Sequence, residues 1–164
     1  WLDFGKDNYA GVTFNGEPNG HRIFIGWMAN WLDVKNHPET SWTCQMTVPR
    51  FLGLTLYKDE LVLTQQPICE QTYEILEDVP LSGSIELTGF AKVGYNADRK
   101  VIFVNDYEAP YEPTSEKIHL KVWVDKSSIE LFTADGVRSI SLTLFPPLGM
   151  TRELIPVSLV DTVS

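Results

Sequence analysis

The sequence predicts an all-β chain of short antiparallel strands. Apolar residues recur mainly at every second position, which sends alternate side chains to opposite faces of a strand. Turn-forming residues interrupt that alternation roughly every ten positions. Only Glu70-Gln71-Thr72-Tyr73-Glu74-Ile75-Leu76, following the Gln65-Gln66-Pro67 cluster, reads as a short helix or linker.

The alternation places strands at Tyr9–Phe14, Arg22–Met28, Met46–Leu56, Glu60–Gln65, Ser84–Thr88, Ala91–Tyr95, Lys100–Asn105, Ile118–Val124, Ser128–Thr133, Ser139–Phe145 and Ile155–Val160. Asn15-Gly16 and Asn19-Gly20 turn the chain between the first two. Lys58-Asp59 and Ala134-Asp135-Gly136 mark two further hairpins. Within Ile118–Val124, residues Ile118, Leu120, Val122 and Val124 are expected to face inward, with His119, Lys121 and Trp123 outward. No internal repeat is visible, and a boundary near Pro67 divides the chain into two unequal all-β parts.

Charge excludes several functions. Thirteen basic residues against 22 acidic ones give a net charge of -9, a field that repels phosphate backbones and anionic lipid. Neither a nucleic acid nor a membrane is an expected partner, and no apolar run reaches the ~18 residues a bilayer span needs. The start at Trp1-Leu2-Asp3-Phe4-Gly5, without an initiator Met, reads as a piece of something longer. Cys44 and Cys69 are expected as two buried thiols rather than a bridge, and no Asn-x-Ser/Thr sequon occurs.

The most informative residues are Asp3-Phe4-Gly5-Lys6-Asp7-Asn8-Tyr9-Ala10, then Gly26-Trp27-Met28-Ala29-Asn30-Trp31, Pro38-Glu39-Thr40-Ser41-Trp42 and Gln45-Met46-Thr47-Val48-Pro49-Arg50. In the second half stand Val122-Trp123-Val124-Asp125-Lys126-Ser127-Ser128-Ile129-Glu130-Leu131-Phe132, Asp135-Gly136 and Leu144-Phe145-Pro146. In this order they resemble glycoside hydrolase family 32, the invertases, levanases, inulinases and fructan exohydrolases. The resemblance implies the last blade of a five-bladed propeller at residues 1–66 and a C-terminal β-sandwich at residues 67–164. It also implies a parent enzyme acting on sucrose or fructans, with extracellular placement favoured.

Retaining glycoside hydrolysis needs a nucleophilic carboxylate and an acid/base carboxyl about 5 Å apart. The family's nucleophile Asp, stabilising Asp and acid/base Glu lie in W-M-N-D-P-N-G, R-D-P and E-C patterns. Here Asp33 lacks that setting and Cys69-Glu70 reverses the last pattern, so no catalytic residue is assigned and the isolated chain is expected not to hydrolyse sugar. The resemblance puts Asp3 and Lys6 at the rim of the sugar pocket, where a carboxylate accepts from sugar hydroxyls and an ammonium donates. A solvated i,i+3 ion pair is the plainer alternative. Trp27 offers a face for sugar stacking or for core packing in equal measure, and Asp7 and Tyr9 are candidate supporting residues.

Asp125 and Glu130 are read as turn residues bonding the backbone, not as a catalytic pair. His21, His37 and His119 lack ligand spacing, so neither a metal nor a cofactor is expected. The alternative function is a non-catalytic, lectin-like carbohydrate-binding or structural β-sandwich, with Trp123 as a surface stacking residue. The expected partners are a sucrose or fructan ligand together with either the N-terminal catalytic part of the enzyme or a second copy of the chain.

Overall fold

The computed structural model describes residues 1–32, 34–37, 44–78, 84–87 and 91–145. The chain is all-β, and the described residues form twelve strands in three four-stranded antiparallel sheets. The first sheet runs β1 (Tyr9–Thr13), β2 (Arg22–Trp27), β3 (Arg50–Tyr57) and β4 (Glu60–Pro67) in simple meander order. The second sheet holds β5 (Tyr73–Asp78), β10 (Lys117–Asp125), β11 (Ser128–Thr133) and β12 (Ser139–Thr143), ordered β12-β11-β10-β5. The third holds β6 (Ser84–Leu87), β7 (Ala91–Asn96), β8 (Val101–Val104) and β9 (Tyr107–Pro110).

Ten of these strands follow the alternation read from the sequence, within a few residues at each end; β3 begins at Arg50 rather than Met46. The predicted strand Ile155–Val160 and the Pro38–Trp42 motif lie outside the described residues. Two strands are additions. The segment expected as a helix or linker is β5, which pairs along β10 from Tyr73 opposite Val122 to Asp78 opposite Lys117. Its Tyr73 and Ile75 alternate toward the core, and two positions of contact were too few to signal a strand. Strand β9 is four residues ending in Pro110, which β-structure tolerates at an edge, and β9 is the edge of its sheet.

The second and third sheets enclose one core. Ile118, Leu120 and Val122 of β10, Ile129 and Leu131 of β11 and Ile140 and Leu142 of β12 meet Val93, Tyr95, Ile102 and Val104 from the opposing sheet. The blade reaches into this core through Tyr57, whose ring stacks on Tyr111 at 6.0 Å and 8°. Its hydroxyl donates to the Glu112 carbonyl (2.9 Å) and accepts from the Glu112 N–H (2.8 Å), so the hairpin end is anchored.

Strands β11 and β12 are buried on both faces. One face carries the core residues above. The other carries Ser128, Glu130, Phe132, Ser139, Ser141 and Thr143, and it faces the blade. Trp123, expected outward on a wet surface, is on this side and only 8% exposed, edge-on to Phe132 at 5.2 Å. The cysteines are free as expected but exposed rather than buried.

Replacing Leu131, fully buried in this core, by Ala is expected to cost roughly 2–5 kcal/mol. The same change at Leu56, 73% exposed on the blade, should stay within about 0.5 kcal/mol. Urea denaturation followed by tryptophan fluorescence distinguishes the two, and equal losses would contradict the placement of the core.

Candidate functional site

The segment Leu2–Asp7 forms a strap across the seam between blade and sandwich. Phe4 N–H donates to the Ser139 carbonyl (2.9 Å) and Asp7 N–H to the Ser141 carbonyl (3.2 Å), so the strap lies along the free edge of β12. Gly5 makes the approach possible: a Cβ there would sit 2.1 Å from the Ser141 oxygen. This close contact explains the glycine in Asp3-Phe4-Gly5-Lys6 in physical terms.

Asp3 is turned into the seam. Its Oδ1 accepts from the N–H groups of Gly5 and Ser141, both at 2.8 Å. Its Oδ2 accepts from Ser141 Oγ (2.7 Å), Ser139 Oγ (3.2 Å), Asn8 Nδ2 (3.2 Å) and Arg50 Nη1 (3.4 Å). With side-chain exposure of 4%, this carboxylate spends its lone pairs on the protein. Lys6 is more open at 26%, and its Nζ lies 2.6 Å from Asp7 Oδ2 and 3.3 Å from Thr143 Oγ1.

Asp7 joins three elements. Fully buried, it accepts from Thr143 N–H (2.8 Å) and Thr143 Oγ1 (2.7 Å) on β12, from Lys6 on the strap, and from Asn30 Nδ2 (2.7 Å) in the loop after β2. Asn30 in turn accepts from the Leu32 N–H at 2.9 Å. The loop that carries Trp31 is therefore pinned by a buried charge.

What that loop presents is aromatic. The rings of Trp27 and Trp31 lie 5.0 Å apart at 55°, and Tyr9 meets Trp27 at 6.3 Å and 66°. Trp31 is 69% and Tyr9 53% exposed, while Trp27 is half-buried between them. A one-residue irregularity in β1 makes the arrangement: Val12 and Thr13 pair with Ile25 and Phe24, but Tyr9 pairs with Trp27. Ala10 takes φ 49° there, a left-handed backbone that aims Tyr9 at the tryptophans.

Below the strap sits Arg50, fully buried. Its Nη2 pairs with Glu130 Oε2, its Nη1 donates to Gln65 Oε1 (2.8 Å), and its guanidinium lies 4.6 Å over the Phe132 ring. Glu130 Oε1 accepts the Val48 N–H at 2.7 Å. The turn role expected for Asp125 and Glu130 therefore holds for Asp125 alone, whose Oδ1 accepts the Lys126 N–H at 2.7 Å. Glu130 is a seam residue, and burial pushes its carboxyl up to about 7 against the opposing pull of Arg50 and the Val48 N–H. Among the described residues, no group of three or more His, Cys, Asp or Glu side chains is arranged to hold a metal ion.

A four-stranded meander with one strand edge near an aromatic cluster, joined through a buried polar seam to a two-sheet sandwich, defines a blade-plus-sandwich protein. Its sequence matches the model "Glycosyl hydrolases family 32 N-terminal domain" over residues 1–67 and "Glycosyl hydrolases family 32 C terminal" over residues 72–159. The chain belongs to glycosyl hydrolases family 32. It is 26% identical to a levanase of Bacillus subtilis, over 89% of this chain and 30% of the levanase. It is 25% identical to an extracellular exo-inulinase of Aspergillus niger, over 89% of this chain and 38% of that protein.

In structure it resembles the exo-inulinase of Aspergillus awamori, with TM-score 0.72 and 24% identity over 90% of this chain and 39% of that one. It likewise resembles the fructofuranosidase of Schwanniomyces occidentalis complexed with fructose, with TM-score 0.72 and 18% identity over 90% and 43%. These two show the fold. The chain spans between 30% and 38% of the length of the two curated relatives above.

Two outcomes test the seam. Arg50→Met is expected to cost about 3–5 kcal/mol in urea denaturation, because it leaves Glu130 and Asp3 buried without their cation. The Glu130 carboxyl, raised from 4.5 to about 7, favours the folded state below its unfolded value, and that contribution is lost as pH rises through 7. The stability difference between the wild type and Glu130→Gln should therefore move against the wild type between pH 5 and 8; a constant difference would contradict the assignment.

Proposed function

We propose that this chain is the C-terminal part of a β-fructofuranosidase-type glycoside hydrolase that acts on sucrose or fructans by a retaining mechanism. Residues 1–66 form the end of its five-bladed propeller and residues 67–164 its β-sandwich. The nucleophile Asp and acid/base Glu belong to the part of the enzyme that this chain does not span. Retention follows from the family chemistry, in which two carboxyl groups stand about 5 Å apart and one forms a covalent glycosyl intermediate.

The observation that carries the reading is the open cluster of Tyr9, Trp27 and Trp31. Flat aromatic faces that are half in water suit the C–H surface of a sugar, and neighbouring polar groups then select its hydroxyls. Trp27 supplies the stacking face, with Tyr9 at its edge. Lys6, the most exposed of the three charged strap residues, is the donor we assign to the rim, while Asp3 and Asp7 hold the strap and the loop after β2. Sequestering those carboxylates in the seam keeps the rim geometry fixed through turnover.

The apolar side chains of Leu54, Leu56 and Leu61 share one exposed face of the β3–β4 hairpin, with Leu56 opposite Leu61. An exposed strip of this kind marks a contact surface. We assign it to the neighbouring propeller blade of the complete enzyme, with self-association as the outcome when that part is absent. The extracellular name of the exo-inulinase relatives supports a secreted enzyme.

A structural role for the sandwich has its own support in the continuous polar seam, whereas burial of Trp123 removes the stacking surface a lectin-like sandwich would use. Calorimetric titration with sucrose, inulin and levan tests the proposal. Trp27→Ala and Trp31→Ala should each weaken fructan binding about tenfold, which corresponds to a contact worth ~1.4 kcal/mol. Unchanged affinity in both variants would move recognition away from the cluster. Fructose release is expected only when the chain is combined with the N-terminal part of the enzyme.

A further inference from the structure

Away from the tryptophans, a cleft of about 440 Å³ opens between the tip of the β3–β4 hairpin and the sandwich. Its chemistry runs against that of the chain. In a protein of net charge -9, the walls bring together Lys58, Arg99, Lys100 and Arg138, with Glu60 and Glu112 the acidic residues among them. Basic side chains outnumber acidic ones in the walls, and of the four Arg99 is already paired with Glu108 at 2.6 Å.

Geometry makes this more than a loose basic patch. Lys58 comes from the blade and Lys100 from the turn between β7 and β8, and the two converge on a single carboxylate. Lys58 Nζ meets Glu112 Oε1, and Lys100 Nζ lies 3.0 Å from Glu112 Oε2. Each oxygen thus has its own ammonium, the arrangement by which two lysines recognise a phosphate or carboxylate group. These hydrogen bonds hold the Glu112 carboxyl below the usual range.

The backbone supports the same reading. Lys58 and Lys100 take φ 50° and 53°, in the left-handed region where Gly or Asn is ordinarily preferred. Both are turn positions, of the β3–β4 and β7–β8 hairpins, and those turns fix where the two lysines project. The floor is rigid, because Tyr57 and Tyr111 stack beneath it and Arg138 lies 5.2 Å over the Tyr57 ring with Nε bonded to the Pro110 carbonyl at 2.7 Å. Glu112 is the displaceable part: its side chain is 41% exposed, so it can be hydrated when a ligand takes its place.

We propose that this cleft binds the phosphate or carboxylate group of a small soluble anion between Lys58 and Lys100, displacing the Glu112 side chain that occupies the position in the free protein. A dianionic phosphate offers the two ammonium groups one more negative charge than the monoanionic Glu112 carboxylate does. Because one lysine belongs to each half of the molecule, occupancy also clamps blade to sandwich.

Calorimetric titration at constant ionic strength tests the site with four probes: inorganic phosphate, glucose 6-phosphate, glucuronate and, as the neutral control, glucose. Saturable binding of at least one anion, with none of glucose, is the expected result. Tighter binding of glucose 6-phosphate identifies a sugar phosphate, and tighter binding of glucuronate a sugar acid, each in support. Glu112→Gln should strengthen anion binding several-fold by removing the internal competitor, and the double variant K58A/K100A should abolish saturation. These side chains are exposed, and unchanged melting without ligand checks that the variants fold. No saturable binding to the wild type or to Glu112→Gln, or equal binding by K58A/K100A, would overturn the proposal.

Discussion

The buried guanidinium of Arg50 organises the molecule. A cation removed from water is stable only where carboxylates and carbonyl oxygens surround it closely, since an unpaired buried charge costs several kcal/mol. Here those partners come from four separate stretches: Asp3 on the strap, Gln65 on β4, Glu130 on β11 and the Val48 carbonyl preceding β3. Satisfying one side chain therefore fixes the blade, the strap and the sandwich relative to each other. The rings of Phe132, at 4.6 Å, and Phe24, at 5.9 Å, lie against the guanidinium and shield it with apolar surface.

Asp7 repeats the same solution one turn of the strap away. Thr143 and Asn30 bring it the sandwich and the loop after β2, so the orientation of Trp31 depends on a hydrogen bond that also depends on β12. The aromatic cluster is thus held from behind by the sandwich. That link makes the geometry of the aromatic cluster depend on the sandwich.

The strands and turns were legible because their signals are local. Ile118, Leu120 and Val122 alternate with polar neighbours and are fully buried, and Lys58-Asp59 is a tight turn with both residues at positive φ. The seam was not legible. Ser139, Ser141 and Thr143 alternate with Ile140 and Leu142 as a solvent-facing row does, and nothing in the spacing tells water from a second polar surface. Glu130 was hidden for the same reason. Its partner lies 80 residues away in sequence, and only the family resemblance joined the two halves. Asp3 was found by that resemblance as a residue of importance, and the structure gives it a different set of neighbours from the sugar hydroxyls first expected.

The strap along β12 also bears on how the chain reaches its native state. Its hydrogen bonds join residues about as far apart as the described chain allows; Ser141 and Asp3 are separated by 138 positions. Closing a loop of that size costs entropy before any contact repays it, and folds dominated by such pairings form slowly. Until the strap arrives, β12 carries an open row of backbone donors and acceptors, a surface on which strands of other molecules can assemble. The strap Leu2–Asp7 therefore acts as a cover for that edge, and the pairing withdraws its donors and acceptors from other strands.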